Sequence, residues 1–277
     1  MKKSIKIVLY SALTVILGCM VFFGVKAYNQ AILYEKATTE LVSYQDAGQQ
    51  ASLQLEKFAK SLFGDLYDDE LKMKLDKIRE KQDTAMLKAQ EYTIYFMFLL
   101  GSILLLSLLG SLRTFTLFGS LSATVTLFLG LITPILMVTI HKEVEYLGDI
   151  VLSFESKGVI GSIVKLYESG DIVVALVILL FSVVVPGLKV LSLLFVSIFM
   201  ESNFAHSIVK FFKMIGKWSM VDVFVVAVFL VYLTANKGDI SRAEVEVGLY
   251  FFLAYVIVSM FVSLSADKML SANKSRY

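Results

Sequence analysis

Six mainly apolar stretches, at about 5–25, 92–112, 119–140, 171–195, 217–235 and 247–266, have the roughly 20-residue length that carries a helix across a bilayer. Nothing else in the chain constrains its fold as strongly. Hydrocarbon offers backbone N–H and C=O groups no partners, so such runs must satisfy them internally, as helices. A composition that is 57% hydrophobic, with a mean hydropathy of +0.74 over 277 residues, agrees with this. The predicted class is an all-α polytopic membrane protein with about six transmembrane helices and a helical extracytoplasmic insertion.

That insertion is residues 26–91, with ten Lys/Arg, twelve Asp/Glu and no proline. Its apolar residues Leu53, Leu55, Phe58, Leu62, Leu66, Leu71, Leu75, Ile78 and Leu87 recur mostly at three and four, which predicts one or two amphipathic helices. Gly64 and the aspartates of "FGDLYDDE" (63–70) favour a break, so a helical hairpin that leaves and re-enters the membrane is expected. No sustained heptad is evident. Residues 1–25 place lysines before an apolar run of about 19 residues, longer than a usual signal-peptide core, so a retained anchor is expected, with cleavage the alternative.

Basic residues give the orientation. Lys2, Lys3 and Lys6, then Arg113, then Lys210, Lys213 and Lys217, then Lys268, Lys274 and Arg276 all fall on one side of a six-span arrangement. The positive-inside rule puts that side, and both termini, in the cytoplasm. The expected organisation is an anchor at 1–25, the insertion at 26–91, a span at 92–114, a four-helix module at 115–267 and a tail at 268–277. On the outer side, segment 141–170 carries the apolar pairs Ile150/Val151, Val159/Ile160 and Ile163/Val164 between glycines. Two readings stay open for it: short helices on the membrane surface, or a packed extracytoplasmic cap.

A formal charge of +2 gives no case for a nucleic-acid partner. Cys19 is the single cysteine, and His141 and His206 lie in different segments, so no disulfide framework, metal site or cofactor is expected.

Two charges sit where lipid would be. Lys189, in "LLFSVVVPGLKVLSLLF" (179–195), lies about seven residues before the cytoplasmic end of its span, on the order of 10 Å deep. Asp222 lies about five residues into the next span, entered from the same side. A charge near the bilayer centre costs roughly 2.5–3.5 kcal/mol even on a permissive scale, and pairing reduces that cost. A polar interior is therefore expected; the alternative is a snorkelling lysine and an aspartate anchoring a helix start. Ser182, seven before Lys189, and Ser219, three before Asp222, share their helix faces. Pro186-Gly187 predicts a kink with room for close approach, and Thr133-Pro134 a kink near the outer end of the third span. Trp218 is expected to be an interface anchor.

"IGKWSMVDVFVVAVFLV" (215–231), preceded by "LLFSVVVPGLKVLSLLF" and, further upstream, by "LITPILMV" (131–138), resembles the membrane module of the paraquat-inducible protein A (PqiA) family over about 115–267. The W-S-M-x-D-V-F string is the most specific element. The resemblance implies a bacterial inner-membrane protein that handles phospholipid beside a periplasmic MCE-domain partner. It also implies a polar interior holding Ser182, Lys189, Ser219 and Asp222, with Pro186 beside them. Familiar members often carry two modules and cysteine-rich zinc ribbons; this chain has one module and one cysteine, and adds residues 1–91.

Lipid transport is thus the first functional expectation. The alternative is a structural or signalling membrane protein in which residues 26–91 bind another periplasmic protein or a second copy. An enzyme is not expected, since no H-E-x-x-H or G-x-S-x-G string occurs, and no phosphate-binding loop supplies ATP-driven energy. A channel lacks any repeated filter-like segment.

Overall fold

The computed structural model describes residues 3–45, 68–144, 148–198 and 241–274. Among them, five helices are long and apolar enough to cross a membrane. They correspond to five of the six expected spans; the sixth, 217–235, lies outside the described residues.

Helix α1 (Lys3–Gln45) and helix α2 (Asp68–Leu108) each carry an apolar span and its polar extension without interruption. They pack antiparallel: Tyr34 lies with Ala85, and Ala37 and Leu41 lie with Ile78. The Gln82 amide donates to Thr38 Oγ1 at 2.8 Å. The seam of α1 runs through Leu13, Met20, Ala27, Tyr34 and Leu41, at intervals of seven, with Gly24, Ala31 and Thr38 between them. That is a heptad. Half of these members are small, which lets the backbones approach; of the expected apolar face, Ile78 is buried whereas Leu87 is 67% exposed. The other leucines and Phe58 of that expected face lie outside the described side chains.

The tight link at 109–111 leads to helix α3 (Leu112–Ile132), which a capping box opens: Thr114 N–H donates to Ser111 Oγ, and Thr114 Oγ1 accepts from Ser111 N–H. The helix stops at Thr133. A proline disfavours helical geometry in the residue before it, and Thr133 is extended at φ −80 and ψ 144. Pro134 therefore ends this helix rather than kinking it, and the span expected to reach residue 140 is over at Ile132.

The chain then runs into strand β1 (Leu136–Val144), which pairs antiparallel with β2 (Gly148–Lys157) on one edge and β3 (Ser241–Val245) on the other. The membrane-embedded part is helical as expected, and this small sheet is an addition to it. Surface helices do not describe 148–157, which is a strand; hydropathy extended the span through Val138, Thr139 and Ile140, but these β-branched residues suit a pleated sheet.

Helix α4 (Val159–Glu168) does match the surface-helix reading: none of its residues is buried, and Ile160, Val164 and Tyr167 are exposed. Gly170, at φ +88, turns the chain sharply, with Gly170 N–H donating to Tyr167 O and Asp171 N–H to Leu166 O. Helix α5 (Ile172–Ile198) follows, containing a π turn at Leu180–Val184. Helix α6 (Val247–Lys274) runs antiparallel to α3, with Gly130 against Phe252 and Thr116 against Ser265.

One end of the bundle gathers Tyr10, Thr114, Arg113, Ser197 and Ser265. The other end, the sheet side, gathers Tyr34, Ala85, Met137 and the start of α6. Strand β2 also lies against α1, tying hairpin to sheet. Ile198 and Ser241 thus lie at opposite ends, the separation that the expected span at 217–235 demands.

Candidate functional site

Lys189 lies on α5 with only 8% of its surface exposed, and its ammonium donates to Ser259 Oγ of α6 at 3.2 Å. Ser259 in turn donates to Val256 O at 3.0 Å. One helical turn earlier on α6, the Tyr255 hydroxyl donates to Pro186 O at 3.4 Å. Two polar tethers therefore join α5 and α6 inside the bundle. An ammonium has three donors, and Ser259 takes one of them.

Pro186 explains the irregularity of α5. It has no N–H to give to the carbonyl four residues back, and its ring crowds that carbonyl. The helix widens over Leu180–Val184, and Val185 N–H bonds to Leu180 O, five residues away. Such π turns recur at functional sites. Ser182 is half-buried within this turn, so its angular relation to Lys189 is no longer that of a regular helix. A Cβ on Gly187 would meet nothing within 4 Å among the described residues. Asp222, Ser219 and Trp218 lie outside the described residues, and the Lys189–Asp222 pairing with them.

Ser259 and Tyr255 were not singled out from sequence. Their four-residue spacing in "YVIVS" (255–259) carries the signal, because it puts two polar groups on one helix face. The same holds for α3. Thr116, Ser120, Ser122, Thr126 and Thr133 are buried there. Most bond back to the preceding turn, while Thr116 Oγ1 also donates to Ser265 Oγ at 3.1 Å. Among the described residues, Ser122 Oγ and Thr133 Oγ1 are buried without a hydrogen-bond partner. No group of three or more His, Cys, Asp or Glu side chains converges among the described residues.

Long apolar helices around a buried lysine and hydroxyl seam define a multi-pass membrane protein with a polar interior. Residues 114–272, from the start of α3 into the last turns of α6, match the family described as PqiA, paraquat-inducible protein A. More than half of the chain is matched, and the chain belongs to this family. It is 29% identical over 119 residues to the intermembrane transport protein PqiA of Escherichia coli (strain K12), covering 41% of this chain and 28% of that protein. The PqiA protein of Shigella flexneri gives the same figures, and a probable intermembrane transport protein of Haemophilus influenzae is 28% identical over 117 residues, 40% of this chain and 28% of its own length. The chain therefore spans less than a third of the curated relatives it matches. The α1–α2 hairpin lies outside the family match. No solved structure matches.

Proposed function

We propose that this protein is a non-enzymatic membrane component of an intermembrane lipid-transport system, taking up or releasing phospholipid for an MCE-domain partner on the extracytoplasmic side. The observation that carries the reading is the buried Lys189 on a spanning helix, beside a π turn and Pro186. A charge held at that cost in a membrane segment belongs to a substrate or ion path by default, and the named transport role of the relatives agrees with it. Ser182, Ser219 and Asp222 complete the site in this proposal, with Asp222 reaching Lys189 and Trp218 anchoring its helix at the interface. In this proposal the membrane is the bacterial inner membrane, as the family resemblance implies, and the Lys and Arg distribution supports cytoplasmic termini with the sheet side outside. The α1–α2 hairpin, outside the family match, favours a second reading in which it assembles with another extracytoplasmic protein or a second copy and no lipid is handled.

Native mass spectrometry with lipid identification separates the two. Wild type, Lys189→Met and Asp222→Asn are extracted gently and their co-purifying lipids and proteins compared. A phospholipid retained by wild type and lost from both folded variants supports the transport reading. Equal lipid in all three refutes the site and leaves assembly through the hairpin.

A further inference from the structure

Where the α1–α2 hairpin meets the family-matched module, a cleft of about 720 Å³ opens on the sheet side. That volume is typical of sites for small organic ligands, which run from roughly 300 to 1,000 Å³. One wall is α2 from Met86 to Phe98; the other is the β3–α6 corner from Val245 to Tyr250, with Tyr34 of α1 also lining it. The walls thus come from opposite sides of the boundary at residue 114.

The lining changes character along its length, about 18 Å from Met86 to Phe98 on α2. The amide and carboxylate, Gln90 and Glu246, lie toward the sheet end beside Met86 and Tyr34, and the part where α2 and α6 enter their apolar spans is mainly apolar, with Ile94, Met97, Phe98 and Val247 beside Tyr250. Ile94 is 66% exposed and Phe98 76%. On a membrane-spanning surface such residues face acyl chains, so the cleft opens sideways into the bilayer. Water filling an apolar cleft at this depth is disfavoured by about 25 cal/mol per Å² of apolar surface, and a protein partner would have to descend below the headgroups to reach it. An amphiphile already in the leaflet matches both the depth and the gradient.

We propose that this cleft is a lateral binding site for one acyl chain of a phospholipid from the leaflet on the sheet side, created by the docking of the hairpin beside the module. Its use as a lipid entry or exit point rests on the transport reading; its occupancy does not.

The full chain is placed in phosphatidylcholine nanodiscs containing phosphatidylcholine with a diazirine on its acyl chain, irradiated, and mapped by peptide mass spectrometry. Wild type is expected to carry several-fold more label at 86–98 and 245–250 than at the exposed span residues Leu105, Phe128 and Ile257. Gln90→Trp and Ile94→Trp, both at exposed positions, bring the cleft down to that reference level, and Phe128→Trp does not. Lys189→Met keeps the cleft label, so failure of the polar interior as a lipid site leaves this result standing. Equal labelling of cleft and reference residues in wild type, or enrichment that survives both cleft-filling variants, overturns the proposal and leaves ordinary annular lipid.

Discussion

Gly248 stands where α6 leaves the sheet, and replacing it with alanine tests the corner on which the module is built. A Cβ there would lie 2.5 Å from the carbonyl oxygens of both Thr133 and Pro134, about 0.9 Å short of ordinary contact at 3.4 Å. Neither oxygen is the end of a flexible side chain. The Gly248 N–H also donates to Pro134 O at 2.9 Å, so a shift that relieves the clash stretches that bond. Overpacking of this kind costs about 1–3 kcal/mol, and a weakened buried hydrogen bond adds about 1 kcal/mol. Gly248→Ala should therefore destabilise by about 2–4 kcal/mol, a fall in the folding constant of roughly 30-fold to several hundredfold. Equilibrium unfolding in mixed detergent–lipid micelles measures it, with Gly101→Ala as control, because a methyl there meets nothing within 4 Å. A Gly248→Ala protein within about 0.5 kcal/mol of wild type, the range of an ordinary surface change, would refute the reasoning.

Three further outcomes are expected. Phe96 is fully buried and packs edge-on against Phe251 with centroids 4.8 Å apart, so Phe96→Ala should cost about 3–5 kcal/mol in the same unfolding assay, and a loss below about 1 kcal/mol would count against that contact. Ser259→Ala removes the hydroxyl that accepts from the Lys189 ammonium, and a loss of about 1–3 kcal/mol is expected, largely suppressed in the Lys189→Met background in a double-mutant cycle. Pro186→Ala restores a backbone donor to the helix interior; stability should hold or rise while amide exchange around Leu180–Val184 slows, and unchanged exchange would detach the π turn from the proline.

How much of this was legible follows from which interactions leave a local trace. The spans were, because hydrocarbon demands a continuous apolar run and sequence displays it directly. That Lys189 stands within such a run was legible for the same reason. Its bond to Ser259 was not, since it joins residues 70 apart and serine in a membrane helix is common as a packing residue. The hairpin was legible as helix and only partly as surface: Ile78 of the expected face is buried against Ala37 and Leu41, Leu87 is exposed, and the seam also takes in Ala27, Ala31, Ala85, Ala89 and Thr93, whose small size permits close approach and leaves little apolar signal. The sheet escaped because short apolar runs fit strand and buried helix alike.

The sequence by itself determined that this is a polytopic helical membrane protein and that a lysine must be accommodated inside it. It also carried the family resemblance, in strings that contain the Pro186-Gly187 and Lys189 positions. The tertiary structure alone decided that Pro134 is a helix-to-strand switch. It also decided that three strands form a sheet at one end of the bundle, that Tyr255 and Ser259 meet Pro186 and Lys189, and that the added hairpin and the module leave a cleft between them. The division is physical. Solvent, hydrocarbon or water, acts on every residue where it stands in the chain, whereas a partner across the bundle is chosen only when distant segments pack.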